Sequence, residues 1–184
     1  MFSRFLIIVT KKFMVRPTVN KLLIAASVLS FIAMGVTAYL TYMHFEPEAS
    51  EFCNLNASWN CDIVNKSEWS VINLGFAEIP VSILGFLTYL TFFVFSILII
   101  KKVKWRKIWG KLNEKLILNL LKYLSILGVV FSLYLTYIEA FVLQTFCLFC
   151  VTQQVIILAI MILFFVILGL IKSDMKKTRA CEFC

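Results

Sequence analysis

The sequence predicts an all-α integral membrane protein, a four-transmembrane-helix bundle with an outer loop that carries a short surface helix. Hydrophobic residues make up 61% of the 184 positions, and charged residues only 15%. The charges are gathered into a few blocks, and the uncharged runs between them are long enough to cross a bilayer as helices. Because the Lys and Arg residues lie beside these runs, membrane topology explains the net charge of +8 better than nucleic-acid binding does.

The chain enters the membrane after a basic N-terminal segment. Residues 1–9 are an apolar piece interrupted by Arg4 and too short to span, and a basic block ending at Lys21 follows them. Residues 1–21 are therefore predicted to be a cytoplasmic, interfacial segment. A secretory signal is the rival interpretation, but its basic residues would come first and a cleavage site would follow. Residues 22–43 carry no charge and would form a helix about 33 Å long, which predicts the first span.

An acidic segment, residues 44–78, follows the first span. It holds six acidic residues against one basic residue, Lys66, so the positive-inside rule predicts an outer loop. Within it, Ser67 is placed to cap a short helix lying on the membrane surface, with Trp69 at the depth of the lipid headgroups.

The second and third spans are predicted at residues 79–100 and 116–138. Pro80 stands where the first turn of a helix tolerates proline. The basic, Trp-containing block 101–111 between the spans is interpreted as an anchor at the inner leaflet rather than a nucleic-acid site. Glu139 is expected to close the third span at the outer face.

The uncharged run 140–171 is too long for one helix in an average bilayer. The chain is therefore predicted to turn before Cys147 and to descend as the fourth span over residues 147–171. The basic tail, residues 172–184, would then be cytoplasmic.

Two cysteine pairs are predicted to meet at the outer face. Cys147 and Cys150 are three residues apart, which places both thiols on one face of a helix, and the first helical turn favours the thiolate. Cys53 and Cys61 lie in the outer loop, where an oxidising compartment makes a redox pair chemically sensible. The alternative is that Cys147 and Cys150 only pack as small apolar residues. The presence of a second cysteine pair, Cys53 and Cys61, argues against this alternative.

An electron relay from the loop pair to the membrane pair needs an acceptor soluble in lipid. A quinone accepts two electrons and two protons, and a thiolate can add to its ring before a second thiol displaces the adduct. Gln154, one turn below Cys150, is placed either to donate a hydrogen bond to a quinone carbonyl or to bond a neighbouring helix.

No metal is predicted, because His44 is the only histidine. A second Cys-x-x-Cys, Cys181 to Cys184, falls in the predicted cytoplasmic tail. It is open to interpretation as a dithiol, a metal half-site or neither, and no catalytic role is predicted for it.

Several of these features together resemble the vitamin K epoxide reductase family, from about Ala33 to Gln154. They are the eight-residue spacing of Cys53 and Cys61, the Ser67 and Trp69 that follow, and two longer runs, IPVSILG at 79–85 and YLTYIEAFVLQTFCLFC at 134–150. The resemblance implies a four-helix bundle around a quinone, with the outer loop closing over it.

The resemblance also implies roles for the cysteines. Cys150 would face the quinone and form the adduct, and Cys147 would resolve it and exchange with Cys61. Cys53 would meet the thiol partner, and Ser67 would support quinone reactivity. The residues expected to bind substrate are Ser67, Trp69, Val81, Leu84, Leu135, Glu139 and Gln154.

The predicted function is that of a membrane thiol oxidoreductase that reduces a quinone of the ubiquinone, menaquinone or vitamin K type while making disulfides in a partner. Many bacterial relatives carry a fifth span and a thioredoxin-like domain, so a prokaryotic-type chain without them is expected to use a separate thioredoxin-fold protein. Vitamin K epoxide reduction is an alternative, although Val81 and Gln154 stand where vertebrate enzymes use Asn and Tyr. The other alternative is a non-enzymatic four-span protein with a structural loop disulfide; a staple would resist mild reductant, whereas a relay disulfide would be labile.

Overall fold

The computed structural model of the protein describes residues 2–46, 53, 54, 56, 58–73, 75, 78–101 and 114–182, with side chains described from residue 17 to residue 174. Within these ranges four helices are long and apolar enough to cross a membrane. The helical membrane fold class is thereby confirmed. Most of the predicted inner anchor, residues 101–111, and the side chains of the second Cys-x-x-Cys lie outside the described part.

Four long helices form the bundle. Helix α1 is Phe2–Phe45, helix α3 is Val81–Ile100, helix α4 is Glu114–Tyr137, and helix α5 is Leu148–Glu182. The backbone of α1 is helical from Phe2 onwards, so the predicted interfacial segment continues into the first span rather than forming a separate element. Helix α5 likewise continues beyond the predicted fourth span.

Helix α1 is the centre of the packing. It contacts α3 and α5 extensively, and α5 in turn packs on α4, whereas α3 and α4 touch little. Fully buried Ala26 and Ala33 let its neighbours come close, and the hydroxyls of Ser27, Ser30 and Thr37 donate to carbonyls one turn earlier. These bonds satisfy the hydroxyls inside an apolar bundle.

The bundle core is aromatic and branched aliphatic. Phe92 of α3 meets Phe164 of α5 with ring centroids 5.6 Å apart, and Leu23 and Leu118 are fully buried beside them. Large side chains such as Val130 instead lie on the outside of the bundle, with 59% of the surface exposed. An apolar exterior of this kind is what a lipid-facing surface requires.

The segment between α1 and α3 contains more structure than the sequence predicts. Helix α2 is Cys61–Asn65, a 3₁₀ turn follows at Glu68–Ser70, and strands β1 (Val71–Asn73) and β2 (Glu78–Pro80) pair antiparallel. The strand β2 replaces the predicted first turn of the second span, because Pro80 has an extended backbone and stands as the residue before α3.

Two expectations for the outer segment are wrong. Ser67 precedes the 3₁₀ turn but does not cap it, because its hydroxyl donates to the Val64 carbonyl at 2.8 Å. Glu139 does not close the third span at the surface, because the chain continues after α4 as a π-helix, Ile138–Leu143, that ends at the left-handed Gln144. Glu139 is 2% exposed.

Candidate active site

Three sulfur atoms lie together at one end of the bundle. Cys53 and Cys61 form a disulfide, with their Cα atoms 5.5 Å apart. The sulfur of Cys147 joins them, so that the three atoms all lie within 4.8 Å of one another, and each of the three residues is at most 4% exposed. With Leu40 and Val64 they form a hydrophobic cluster separate from the bundle core. The distance is short enough for exchange between the Cys147 thiol and the disulfide after a small movement.

Polar contacts seat the loop on the end of α1. Asn60 caps α2 by accepting from the Ile63 backbone N–H at 3.1 Å. Asn65 at the other end of α2 donates to the Leu40 carbonyl at 2.8 Å, and the Asn65 carbonyl lies 2.6 Å from the His44 ring nitrogen. These bonds explain why Cys61, the first residue of α2, faces the bundle.

A short backbone bridge joins the loop to the chain just before Cys147. The Asn60 N–H donates to the Phe146 carbonyl at 3.0 Å, and the Phe146 N–H donates to the Ser58 carbonyl at 2.9 Å. The rings of Trp59 and Phe146 pack with centroids 5.7 Å apart. We call this contact, residues 58–60 with Phe146, the latch; it holds the disulfide next to Cys147.

The Cys-x-x-Cys motif occupies the start of α5. Cys147 stands directly before the helix, and the Cys150 N–H donates to the Cys147 sulfur at 3.3 Å. Glu139 accepts from the Cys147 N–H at 3.2 Å, and it lines the same cavity as Cys150. Cys147 is fully buried against the disulfide, whereas Cys150 is partly exposed and faces a cavity.

This cavity has a volume of about 450 Å³ and a mostly apolar lining. Its walls come from all four long helices, the π-helix and the loop. Two of these helices, α3 and α4, touch little. Six of the residues that the sequence predicts to bind substrate line the cavity, namely Ser67, Trp69, Val81, Leu84, Leu135 and Glu139.

The model of the vitamin K epoxide reductase family matches residues 24–165. The chain belongs to this family. The matched residues include the loop disulfide, the cavity and the Cys-x-x-Cys motif, and exclude most of the N-terminal segment and the tail. Family membership together with the cysteine arrangement identifies the protein as a membrane oxidoreductase. The three clustered sulfurs are not a ready metal site, because two of them are bonded to each other and do not act as thiolate ligands.

The structure changes one residue of the set expected from the family resemblance. Gln154 does not line the cavity, and its carbonyl oxygen accepts from the Thr136 hydroxyl at 2.6 Å. Of the two placements open for Gln154, contact with a neighbouring helix is therefore the one found. The preceding residue, Gln153, lines the cavity instead.

The side chain of Gln153 is fixed by its amide nitrogen, while its oxygen remains available as an acceptor. Its amide nitrogen donates to the Ala33 carbonyl at 3.0 Å, and its side-chain oxygen is buried without a hydrogen-bond partner among the described residues. Tyr89 lines the same cavity and donates to the Gln153 backbone carbonyl at 3.3 Å. Sequence reasoning missed both residues, since only the rotation of α5 and α3 in the bundle decides which side chains face the cavity.

Proposed function

We propose that this protein oxidises the dithiol of a separate thioredoxin-fold protein and passes the electrons to a membrane quinone. The observation that carries the proposal is the order of sulfur atoms: a loop disulfide beside Cys147, and Cys150 three residues on, facing an apolar cavity. A thiol relay that begins in a loop and ends at a lipid-accessible pocket suits one partner in water and another in the bilayer.

The relay runs from the loop to the cavity. The partner's thiolate attacks Cys53, so that a mixed disulfide forms and Cys61 is released as a thiolate. Cys61 then attacks the Cys147–Cys150 disulfide at Cys147, which frees Cys150. The partner's second thiol then attacks the mixed disulfide and releases Cys53. Cys53 attacks Cys61 in the Cys61–Cys147 disulfide, which restores the loop disulfide and leaves Cys147 and Cys150 reduced. Two electrons and two protons have then moved from the partner to the membrane pair.

The partner needs the loop to open. Cys53 and Cys61 are almost fully buried, so an incoming thiol does not reach them while the latch is closed. The latch is short, and few side chains hold it. Opening it costs less free energy than opening the bundle, and closing it covers the cavity during quinone reduction.

The cavity suits a quinone head. Its volume falls in the range of about 300–1,000 Å³ usual for small-molecule sites, and its lining is apolar with a few polar groups. Because α3 and α4 touch little, an isoprenoid tail could pass between them into lipid. Ser67 and Tyr89 supply hydroxyls, and Gln153 supplies an acceptor.

The test is quinone reduction in lipid with the purified protein. Ubiquinone and menaquinone analogues are offered together with a reduced thioredoxin-fold protein, and quinol formation is followed by absorbance. We expect turnover by the wild-type protein and none by Cys150→Ser, whereas Ile63→Ala, an exposed change in the same loop region, should remain active.

Two results would contradict the proposal. One is partner oxidation that proceeds without any quinone. The other is a Cys53–Cys61 disulfide that resists mild reductant while no quinone is reduced, which is the behaviour of a structural staple. Reduction of vitamin K epoxide in the same assay would add the epoxide to the substrates.

A further inference from the structure

Glu139 is a buried carboxyl group at the junction of the thiols and the cavity. It is 2% exposed and is the acidic side chain among the described residues that line the cavity. Burial of a carboxylate in an apolar bundle is costly unless the group is hydrogen-bonded or has a function. Among the described residues no salt bridge to Glu139 offsets the burial of its charge.

Glu139 lies next to the two redox cysteines. One carboxylate oxygen accepts from the Cys147 N–H at 3.2 Å, and Glu139 and Cys150 line the same cavity. The π-helix brings about this placement, because its wider turn directs Glu139 inward, and the Thr145 N–H closes the turn on the Glu139 carbonyl at 3.1 Å. The group thus bonds to the backbone of the Cys-x-x-Cys motif and borders the cavity that Cys150 faces.

A capping role alone does not explain a carboxyl group here. An amide oxygen would accept from the Cys147 N–H equally well, without a buried charge. The Cys150 thiol, by contrast, must lose its proton before the sulfur can attack, and the cavity is mostly apolar and offers little water to take it. A carboxylate that lines the same cavity as that thiol can supply the missing base.

We propose that Glu139 is the acid–base catalyst of quinone reduction: it takes the proton of the Cys150 thiol and delivers it to the quinone oxygen. This role rests on the proposed function, since it requires that a quinone bind in the cavity.

The proton and electron balance closes. Glu139 removes the Cys150 proton, the thiolate forms a carbon–sulfur bond to the ring, and the electron pair displaced onto the ring oxygen takes the proton from Glu139. Glu139 then removes the Cys147 proton, and the Cys147 sulfur attacks the Cys150 sulfur. The disulfide forms, the carbon–sulfur bond breaks, and its electron pair stays with the ring, which takes the second proton. The sum is two thiols and one quinone giving one disulfide and one quinol.

The pH dependence that Glu139 causes has to be distinguished from that of the other titratable groups near it. The titratable groups that face it are Cys147 and Cys150 at the start of α5 and Tyr89 across the cavity on α3. From the loop, Cys61 is in the disulfide, and Asp62 is bonded to Asn54 and paired with Lys66. From the end of α1, the His44 ring is bonded to the Asn65 carbonyl.

The experiment compares Glu139→Gln with the wild-type protein. Gln keeps the acceptor for the Cys147 N–H and cannot carry the proton. Since general acid–base catalysis contributes about 10²–10⁴-fold, we expect a loss of about 100-fold or more in single-turnover quinone reduction at neutral pH. Wild-type activity should fall as acid protonates Glu139. The Gln variant should lack the step in the pH profile that comes from Glu139, and its rate should instead rise with pH as the thiol ionises without help.

Two controls define the outcome. Glu114→Gln removes an exposed carboxylate from the far end of α4 and should leave rate and pH profile unchanged. Reduction of the loop disulfide by the partner should keep its rate in Glu139→Gln, which a damaged fold would not allow. If Glu139→Gln fails to fold, Glu139→Asp decides: a retained acid fall supports the role, and its loss overturns it.

Failure of the proposed function and failure of the role of Glu139 would give different results. A wild-type protein that reduces no quinone would overturn the proposed function and this role with it. Normal wild-type turnover with the same pH profile in Glu139→Gln would overturn the role of Glu139 alone.

Discussion

At the scale of residues, the two thiols of the Cys-x-x-Cys motif have different surroundings. Cys147 is fully buried against the loop disulfide, and Cys150 lines the cavity. One turn of helix therefore separates exchange between sulfurs from chemistry on a ligand. The difference gives each thiol its own test.

Replacement of each thiol by Ser should fail in a different way. Cys150→Ser should remove quinone binding at sulfur and abolish turnover. Cys147→Ser should keep a thiolate beside the quinone but leave it unresolved, with a long-wavelength charge-transfer band and turnover reduced about 100-fold or more. Absorbance spectra of the reduced variants with quinone measure this. Normal turnover in both variants would show that the motif is not the site.

The neighbouring glutamines also form a matched pair. Gln153→Leu removes a buried acceptor from the cavity, so we expect the KM for quinone to rise about 2- to 10-fold, the effect of one hydrogen bond of about 0.5–1.5 kcal/mol. Gln154→Leu loses the Thr136 contact and should leave the KM nearly unchanged. Steady-state kinetics with a short-chain quinone compare the two, and an effect of Gln154 alone would reverse the assignment.

At the scale of elements, two sets of contacts hold the loop between α1 and α3, which acts as a lid in the proposed mechanism. Helix α2 is seated by Asn65 on α1, and the latch ties residues 58–60 to Phe146. Both sets of contacts are polar or aromatic, and neither is part of the core around Phe92. The lid can therefore open while the four helices stay packed.

Trp59→Ala should loosen the latch. The variant loses the ring contact with Phe146, so the loop disulfide should be reduced several-fold faster by a small thiol or by the partner, because the open state is more populated. Ile63→Ala is the control, since Ile63 is exposed on α2. The rate is measured by quench and alkylation of the loop cysteines. An unchanged rate in Trp59→Ala would place the opening step elsewhere.

At the scale of the whole molecule, α1 and α5 hold the bundle together while α3 and α4 stay apart over the cavity. Gly85 of α3 supports this arrangement, because an added Cβ would lie 3.1 Å from the Thr37 side chain. The acidic loop closes one end of the cavity, and the basic blocks lie at the other ends of the helices.

We predict that the loop lies outside and both termini inside, because Lys and Arg accumulate on the terminal side. In a cysteine-free background, Ile63→Cys should react with an impermeant thiol reagent in intact cells, whereas Lys172→Cys should react only after permeabilisation. Both positions are exposed, so burial does not mask the label. The opposite labelling pattern would invert the topology.

The sequence by itself determined the four spans and the family. Uncharged length decides whether a helix can cross a bilayer, and the cysteine spacings together with the run 134–150 are specific to one family. It also predicted that Cys53 and Cys61 lie at the same end of the bundle as the Cys-x-x-Cys motif, because two spans, an even number, lie between them in the chain.

Only the tertiary structure decided how the site is lined. A helix turns by about 100° per residue, so the choice between Gln153 and Gln154 depends on the rotation of α5, which packing against α1 and α4 sets. The inward turn of Glu139 comes from a π-helix that no pattern in the sequence marks. The position of the loop disulfide against Cys147 likewise depends on contacts between segments far apart in the chain, which local sequence does not encode.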